Sequence, residues 1–137
     1  VAGISTKSIY GVIATFYIYK HQDGAAVKIQ EIAQKMDLPK NYLEQILLIL
    51  KKADILKSIR GAKGGYKLAK DAQKLTVLEV MEALEGSFCD FEFGNRECSL
   101  LGFWEQAKQG VRKQFDIPVA ELDKYRIDSY KEFVYTI

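Results

Sequence analysis

Between Gln30 and Ala69 the chain strings together a short amphipathic segment, a proline break, a longer amphipathic segment and a glycine-rich hairpin, an order that few folds can accommodate. Leu43, Ile46, Leu47 and Leu50 stand at the i, i+3, i+4, i+7 spacing of a buried helical stripe, predicting a helix from about Pro39 to Ala53. Pro39 suits the first turn of that helix but not the interior of a preceding one, so Asp37-Leu38-Pro39 reads as a tight turn. Ahead of it, Gln30 to Met36 predicts a shorter helix burying Ile32, Ala33 and Met36. At 100° per residue, Asn41, Gln45 and Lys52 point away from the leucine stripe, with Tyr42 and Glu44 on its flanks. Two helices joined by a tight turn, the second polar on its outer face, form a helix-turn-helix whose second member suits a DNA major groove.

The residues beyond Ala53 strengthen that reading. Leu56 to Ile59 and Tyr66 to Ala69 read as short strands around the loop Arg60-Gly61-Ala62-Lys63-Gly64-Gly65, a hairpin wing. Its glycines permit backbone angles that other residues resist and let the main chain approach a phosphate, while Arg60 and Lys63 bring charge. The chain's net charge is only +2, yet Lys51, Lys52, Lys57, Arg60, Lys63, Lys67, Lys70 and Lys74 face Asp54 and Asp71 alone across that stretch. Such a run by itself usually marks a solvated surface. Its coincidence with the motif and the wing is what points to nucleic acid, with Lys51, Lys52, Lys57, Lys63 and Lys67 as phosphate partners.

The flanking sequence predicts a mainly α fold with a small β-hairpin wing: a winged helix-turn-helix plus a long C-terminal dimerisation helix. A first helix, capped by Ser5 or Thr6, is expected to turn Ile9, Val12, Ile13 and Phe16 to the core and to end at His21-Gln22-Asp23-Gly24. Thr76 and Glu79 form a capping box for a fourth helix with Val77, Val80, Met81 and Leu84 inward and Gly86 as its stop. A fifth helix, from about Leu100 to Phe115, sets Leu100, Trp104, Ala107, Val111 and Phe115 at alternating steps of four and three, a seam for packing on its twin in a homodimer. Pro118 stops it, and the tail with Tyr125, Tyr130, Phe133 and Tyr135 is expected to fold back. The expected division is 1–86 for the DNA-binding unit, 87–99 for a cysteine-containing sensor loop and 100–137 for the dimerisation helix and tail.

Other classes lose support. The glycine loop lacks the Gly-Lys-Ser/Thr ending of a phosphate-binding P-loop, and His21, the single histidine, reads as a solvated turn residue, which removes triads and zinc hydrolase sites and leaves no catalytic set. No apolar run approaches the roughly 20 residues that cross a bilayer, and Val1 to Lys7 is unlike a signal peptide, so a cytoplasmic protein away from membranes is expected. A winged-helix module that grips an acidic protein, without specific DNA binding, is the alternative of a different class.

The segments Ile4 to Gly11, Gln30 to Met36, Asn41 to Ala69 and Leu75 to Gly86, together with Val119 to Tyr125, resemble the bacterial winged-helix regulators of the IscR, NsrR and CymR type. The joint occurrence of YLEQ, SIRGAKGGY and the glutamate-glycine end of the fourth helix is specific to them. The resemblance implies a transcription regulator, repression being the expected mode, that binds double-stranded DNA as a homodimer on a pseudo-palindromic operator. It assigns base reading to Lys40, Asn41, Tyr42, Glu44 and Gln45, and minor-groove contact to Ser58, Arg60 and Gly61. The chemistry agrees: Asn41 and Gln45 can offer a donor and an acceptor together to an adenine edge, and a narrow minor groove attracts a guanidinium.

The same resemblance raises an iron-sulfur cluster, or a redox signal, acting through Cys89 and Cys98. Cluster-binding members carry three cysteines spaced C-x5-C-x5-C, the last six residues before a tryptophan. Here Cys98 lies six before Trp104 and Cys89 lies between the positions of the other two, while Leu101 stands where the IscR subgroup has a histidine. Two thiolates make half of the usual four ligands, and Asp90, Glu92 and Glu97 are the neighbouring oxygen donors. Idle or structural thiols, an atypical cluster and a disulfide switch all remain open from the residues.

Overall fold

The computed structural model describes residues 4–86 and 99–126. In chain order these form α1 (Thr6–His21), α2 (Ile29–Met36), α3 (Lys40–Lys52), β1 (Leu56–Ile59), β2 (Gly65–Leu68), α4 (Val77–Glu85), α5 (Leu101–Phe115) and a 3-10 helix (Val119–Tyr125). The elements expected from the sequence are all present, with ends shifted by a residue, as terminal turns commonly are. Local chemistry explains the boundaries. Ser5 caps α1 by accepting from the Ser8 N–H, and the capping box of Thr76 and Glu79 opens α4 as predicted. Asp37 ends α2 in the left-handed region at φ 53°, the Leu38 N–H donates to the Ala33 carbonyl at 3.0 Å, and Pro39 stands immediately before α3.

The core is built by α1, α3 and α4, and the leucine stripe of α3 is wholly buried within it. One expectation fails in α1. Val12 and Phe16 are half-buried against the core, but Ile9 and Ile13 are 48% and 45% exposed, and the buried face is Ser8, Gly11, Ala14, Thr15 and Ile18. Close packing decides this: a Cβ at Gly11 would land on the Leu84 side chain, so α4 sits against the one stripe of α1 small enough to admit it. Helical spacing marks apolar positions, and here a helix apolar on two faces buries the one with the smaller residues.

A third strand-like contact anchors the hairpin. Val27, between α1 and α2, exchanges both backbone hydrogen bonds with Tyr66 (2.9 and 2.8 Å), and the Gln22 side-chain oxygen accepts from the Leu68 N–H at 2.8 Å. The chain after α5 folds back as expected up to Tyr125. The Val77 N–H donates to the Ile117 carbonyl and the Val119 N–H to the Leu75 carbonyl, at 2.9 and 2.7 Å, and Val119 is fully buried. Tyr130, Phe133 and Tyr135 lie outside the described residues. Helix α5 buries none of its residues; its C-terminal half leans on α4 through Arg112 and Glu82, 2.7 Å apart, and Leu101 to Ala107 are exposed.

Candidate nucleic-acid interface

Helix α3 presents the polar face foreseen for it. Lys40, Asn41, Glu44, Gln45 and Lys52 are exposed, while Tyr42 is half-buried with its ring edge-on to Tyr10, centroids 6.1 Å apart. Beneath them Leu43, Ile46, Leu47 and Leu50 are completely buried, so the outer side chains stand on a backbone that packing holds rigid. Ionic and hydrogen-bonding partners within the chain are absent for the side chains of Asn41, Gln45 and Lys40 among the described residues, leaving their polar atoms to solvent or a ligand.

The hairpin begins three residues after α3 ends, with the Ile55 N–H donating to the Leu50 carbonyl at 3.0 Å. Strand β1 pairs antiparallel with β2, so that Leu56 faces Leu68, Lys57 faces Lys67, Ser58 faces Tyr66 and Ile59 faces Gly65. The Tyr66 hydroxyl is held above the usual phenol range, first by burial and then by the negative charge of Glu44. Helix α3 packs against β1, so the outward face of the helix and the hairpin stand side by side.

The tip glycines divide into two kinds. Gly61, at φ 110°, is open to solvent on its Cβ side. Gly64 and Gly65 are instead steric necessities, since a Cβ at Gly64 would strike the Ile59 carbonyl and one at Gly65, at φ 151°, would strike the Val27 carbonyl. Sequence reasoning credited all three with phosphate approach; only Gly61, beside exposed Arg60 and Lys63, keeps the open backbone that such an approach needs.

Charge is arranged for a partner. Lys57 and Lys67 stand directly opposite one another across the ladder, a repulsive pairing that costs a fraction of a kilocalorie until an anion neutralises it. Among the described residues Lys51, Lys52, Lys57, Arg60, Lys63 and Lys67 make no ion pair within the chain. Lys70 is the exception in the basic run: it is bound to Glu79 at 3.2 Å and belongs to the scaffold.

Several residues outside the predicted set tie the body behind this surface together. Tyr17 donates from its hydroxyl to Glu31 at 2.7 Å, joining α1 to α2; burial, with that bond and the nearby carboxylate, pushes it up to about 12. His21 stacks on Tyr17 at 4.0 Å and is exposed, a surface residue as expected. Glu85 accepts hydrogen bonds from the Ser5 hydroxyl, the Ser8 hydroxyl at 2.6 Å and the Ser5 N–H at 3.2 Å, so the end of α4 grips the start of α1. These bonds, Ser5 foremost, lower its carboxyl below the ordinary 4.5. The glutamate-glycine pair was visible in the sequence; the two serines it binds, some 80 positions away, were not.

Cys89 and Cys98 lie outside the described residues. Among the described residues no group of three or more His, Cys, Asp or Glu is placed to hold a metal ion, and no helix is long and apolar enough to cross a membrane.

A helix-turn-helix with an unengaged polar second helix, continuous with a hairpin of unpaired cations, defines a winged-helix DNA-binding protein. The family model described as "Iron-dependent Transcriptional regulator", Rrf2, matches residues 4–118. The chain is 31% identical over 119 residues to the HTH-type transcriptional regulator CymR of Bacillus subtilis, covering 86% of each. The structure of CymR from B. subtilis, there called the global cysteine regulator, superposes with a TM-score of 0.84 at 30% identity, over 92% of this chain and 99% of that one. IscR of T. potens superposes at 0.75 with 36% identity, over 89% and 86%. The chain belongs to the Rrf2 family, and it is a DNA-binding transcription regulator rather than an enzyme.

Proposed function

We propose that the chain represses transcription in the cytoplasm as a homodimer on a pseudo-palindromic operator, with α3 in the major groove and the hairpin tip in the adjacent minor groove. Asn41 and Gln45 read base edges, with Lys40, Tyr42 and Glu44 beside them; Ser58, Arg60, Gly61 and Lys63 engage the minor groove and its phosphates. The observation that carries this reading is that the exposed, unpartnered polar face of α3 leads directly into the hairpin packed against it, the Ile55 N–H bonding the Leu50 carbonyl at 3.0 Å, which lets helix and wing meet one duplex together. The expected division into 1–86, 87–99 and 100–137 corresponds to reading, sensing and pairing. Sensing is assigned to Cys89 and Cys98; the family description, iron-dependent, supports an iron-linked signal there, while a CymR structure described as an oxidized form supports a redox-linked one. Iron content and visible absorption of anaerobically purified protein separate the two.

Footprinting on the DNA upstream of the protein's own coding sequence tests the DNA reading. Wild type is expected to protect a two-fold site, with affinity falling steeply as salt rises. Arg60→Ala is expected to lose about 1–3 kcal/mol of that affinity. Equal, sequence-indifferent protection by both proteins would overturn it.

A further inference from the structure

One side chain on the outward face of α3 can neither donate nor accept a hydrogen bond. Leu48 is 47% exposed, and from α2 through α4 it shares that state, among the large apolar side chains of the described residues, only with Ile59 at the end of β1. A lone exposed leucine is ordinary on a protein surface; its place decides what it means. Leu48 follows Asn41 by seven residues, about two turns, and precedes Lys52 by four, about one turn, at roughly 3.6 residues per turn. Ile46 and Leu50, two residues to either side and wholly buried, put the core behind it. Asn41, Gln45, Leu48 and Lys52 therefore form one outward row, with the leucine seated between an amide and an ammonium.

Resting on the proposed placement of α3 in the major groove, we infer that Leu48 reads a thymine by burying its C5-methyl group. That methyl is the apolar group a base pair offers on its major-groove edge; the remaining recognition groups there donate or accept hydrogen bonds. Against cytosine the leucine strips water from the N4 amino group and returns no partner, whereas against thymine it removes water from apolar surface on both sides. Three residues along the helix from Gln45 amount to about 4.5 Å, somewhat more than the base-pair rise of about 3.4 Å, so the thymine lies one or two pairs from the one that Gln45 contacts. Leu47 and Leu50 are buried completely, so the backbone that carries Leu48 is held by the core and cannot withdraw from a wrong base.

The duplex that wild type protects in footprinting tests this when the thymines of one half-site are replaced singly by deoxyuridine, which removes the methyl and keeps the pairing. Anisotropy titrations of the full chain are expected to find a thymine, within about three base pairs of the one at which Gln45→Ala loses discrimination, whose replacement weakens wild type about fourfold, the worth of burying one methyl group. Leu48→Ala, at a solvated position, is expected to keep the wild-type circular dichroism and to be indifferent to that replacement, while responding as wild type does at the other thymines. Leu48→Met, which keeps the apolar reach, is expected to retain the sensitivity. A replacement profile identical in wild type and Leu48→Ala, or a wild type indifferent to every methyl near the Gln45 pair, overturns the role of Leu48 and leaves the operator reading standing. Sequence-indifferent protection by wild type overturns both.

Discussion

Glu85 shows how one side chain can tie together two elements far apart in the chain, the end of α4 and the start of α1. Its carboxylate closes three hydrogen bonds onto Ser5 and Ser8, and its ionised form is favoured in the folded chain. A carboxyl whose folded value is depressed contributes stability that is fully present above its unfolded value, near 4.5, and is lost as pH falls through the folded one. Thermal melts of Glu85→Ala are therefore expected to lie below wild type at neutral pH and to converge with it in acid. A gap that stayed constant from pH 7 to pH 3 would show that ionisation plays no part. At the hairpin, Gly65→Ala is expected to lower stability by more than ~1 kcal/mol and to melt below Gly61→Ala, since only the former drives a Cβ into the Val27 carbonyl. Gln45→Ala is expected to keep the wild-type melting temperature, because the residue is solvated, while losing about 1–3 kcal/mol of discrimination at one base pair in anisotropy titrations.

At the level of elements, the hairpin trades stability for charge. The opposed pair Lys57 and Lys67 repels within the ladder, so Lys57→Thr, which also brings a β-branched residue to a strand, is expected to stabilise the fold by about 0.2–1 kcal/mol. The same substitution removes one phosphate partner and is expected to reduce the slope of log affinity against log salt by about one. A variant both less stable and unchanged in its salt dependence would contradict this assignment. The pairing of Val27 with Tyr66 ties the hairpin's base to the segment between α1 and α2, so the wing is positioned by the whole body and not by its own two strands. That is consistent with the marginal stability of isolated two-stranded hairpins.

For the molecule as a whole, α5 is an incomplete element. A helix with no buried residue and a run of exposed leucine and aromatic side chains has little reason to persist alone, because short helices draw most of their stability from packing. The melting temperature is accordingly expected to rise with protein concentration, as it does when folding and association are linked. A concentration-independent transition in a protein that sediments as a dimer would show that α5 is stable without its partner.

Elements and their order were legible along the chain, because the periodicity of Leu43 to Leu50, the break at Pro39, the Thr76 capping box and the glycine loop are local signals carried by neighbouring residues. The outward set Asn41, Gln45 and Lys52 was legible for the same reason: the buried stripe of a regular helix fixes the opposite face. Tertiary contact alone decided the rest. The choice of α1's smaller face over Ile9 and Ile13, the grip of Glu85 on Ser5 and Ser8, the loss of Lys70 to Glu79 and the pairing of Val27 with Tyr66 each join residues through space. Periodicity reports which side of an element is apolar, and it holds no information on which neighbour can approach that side most closely.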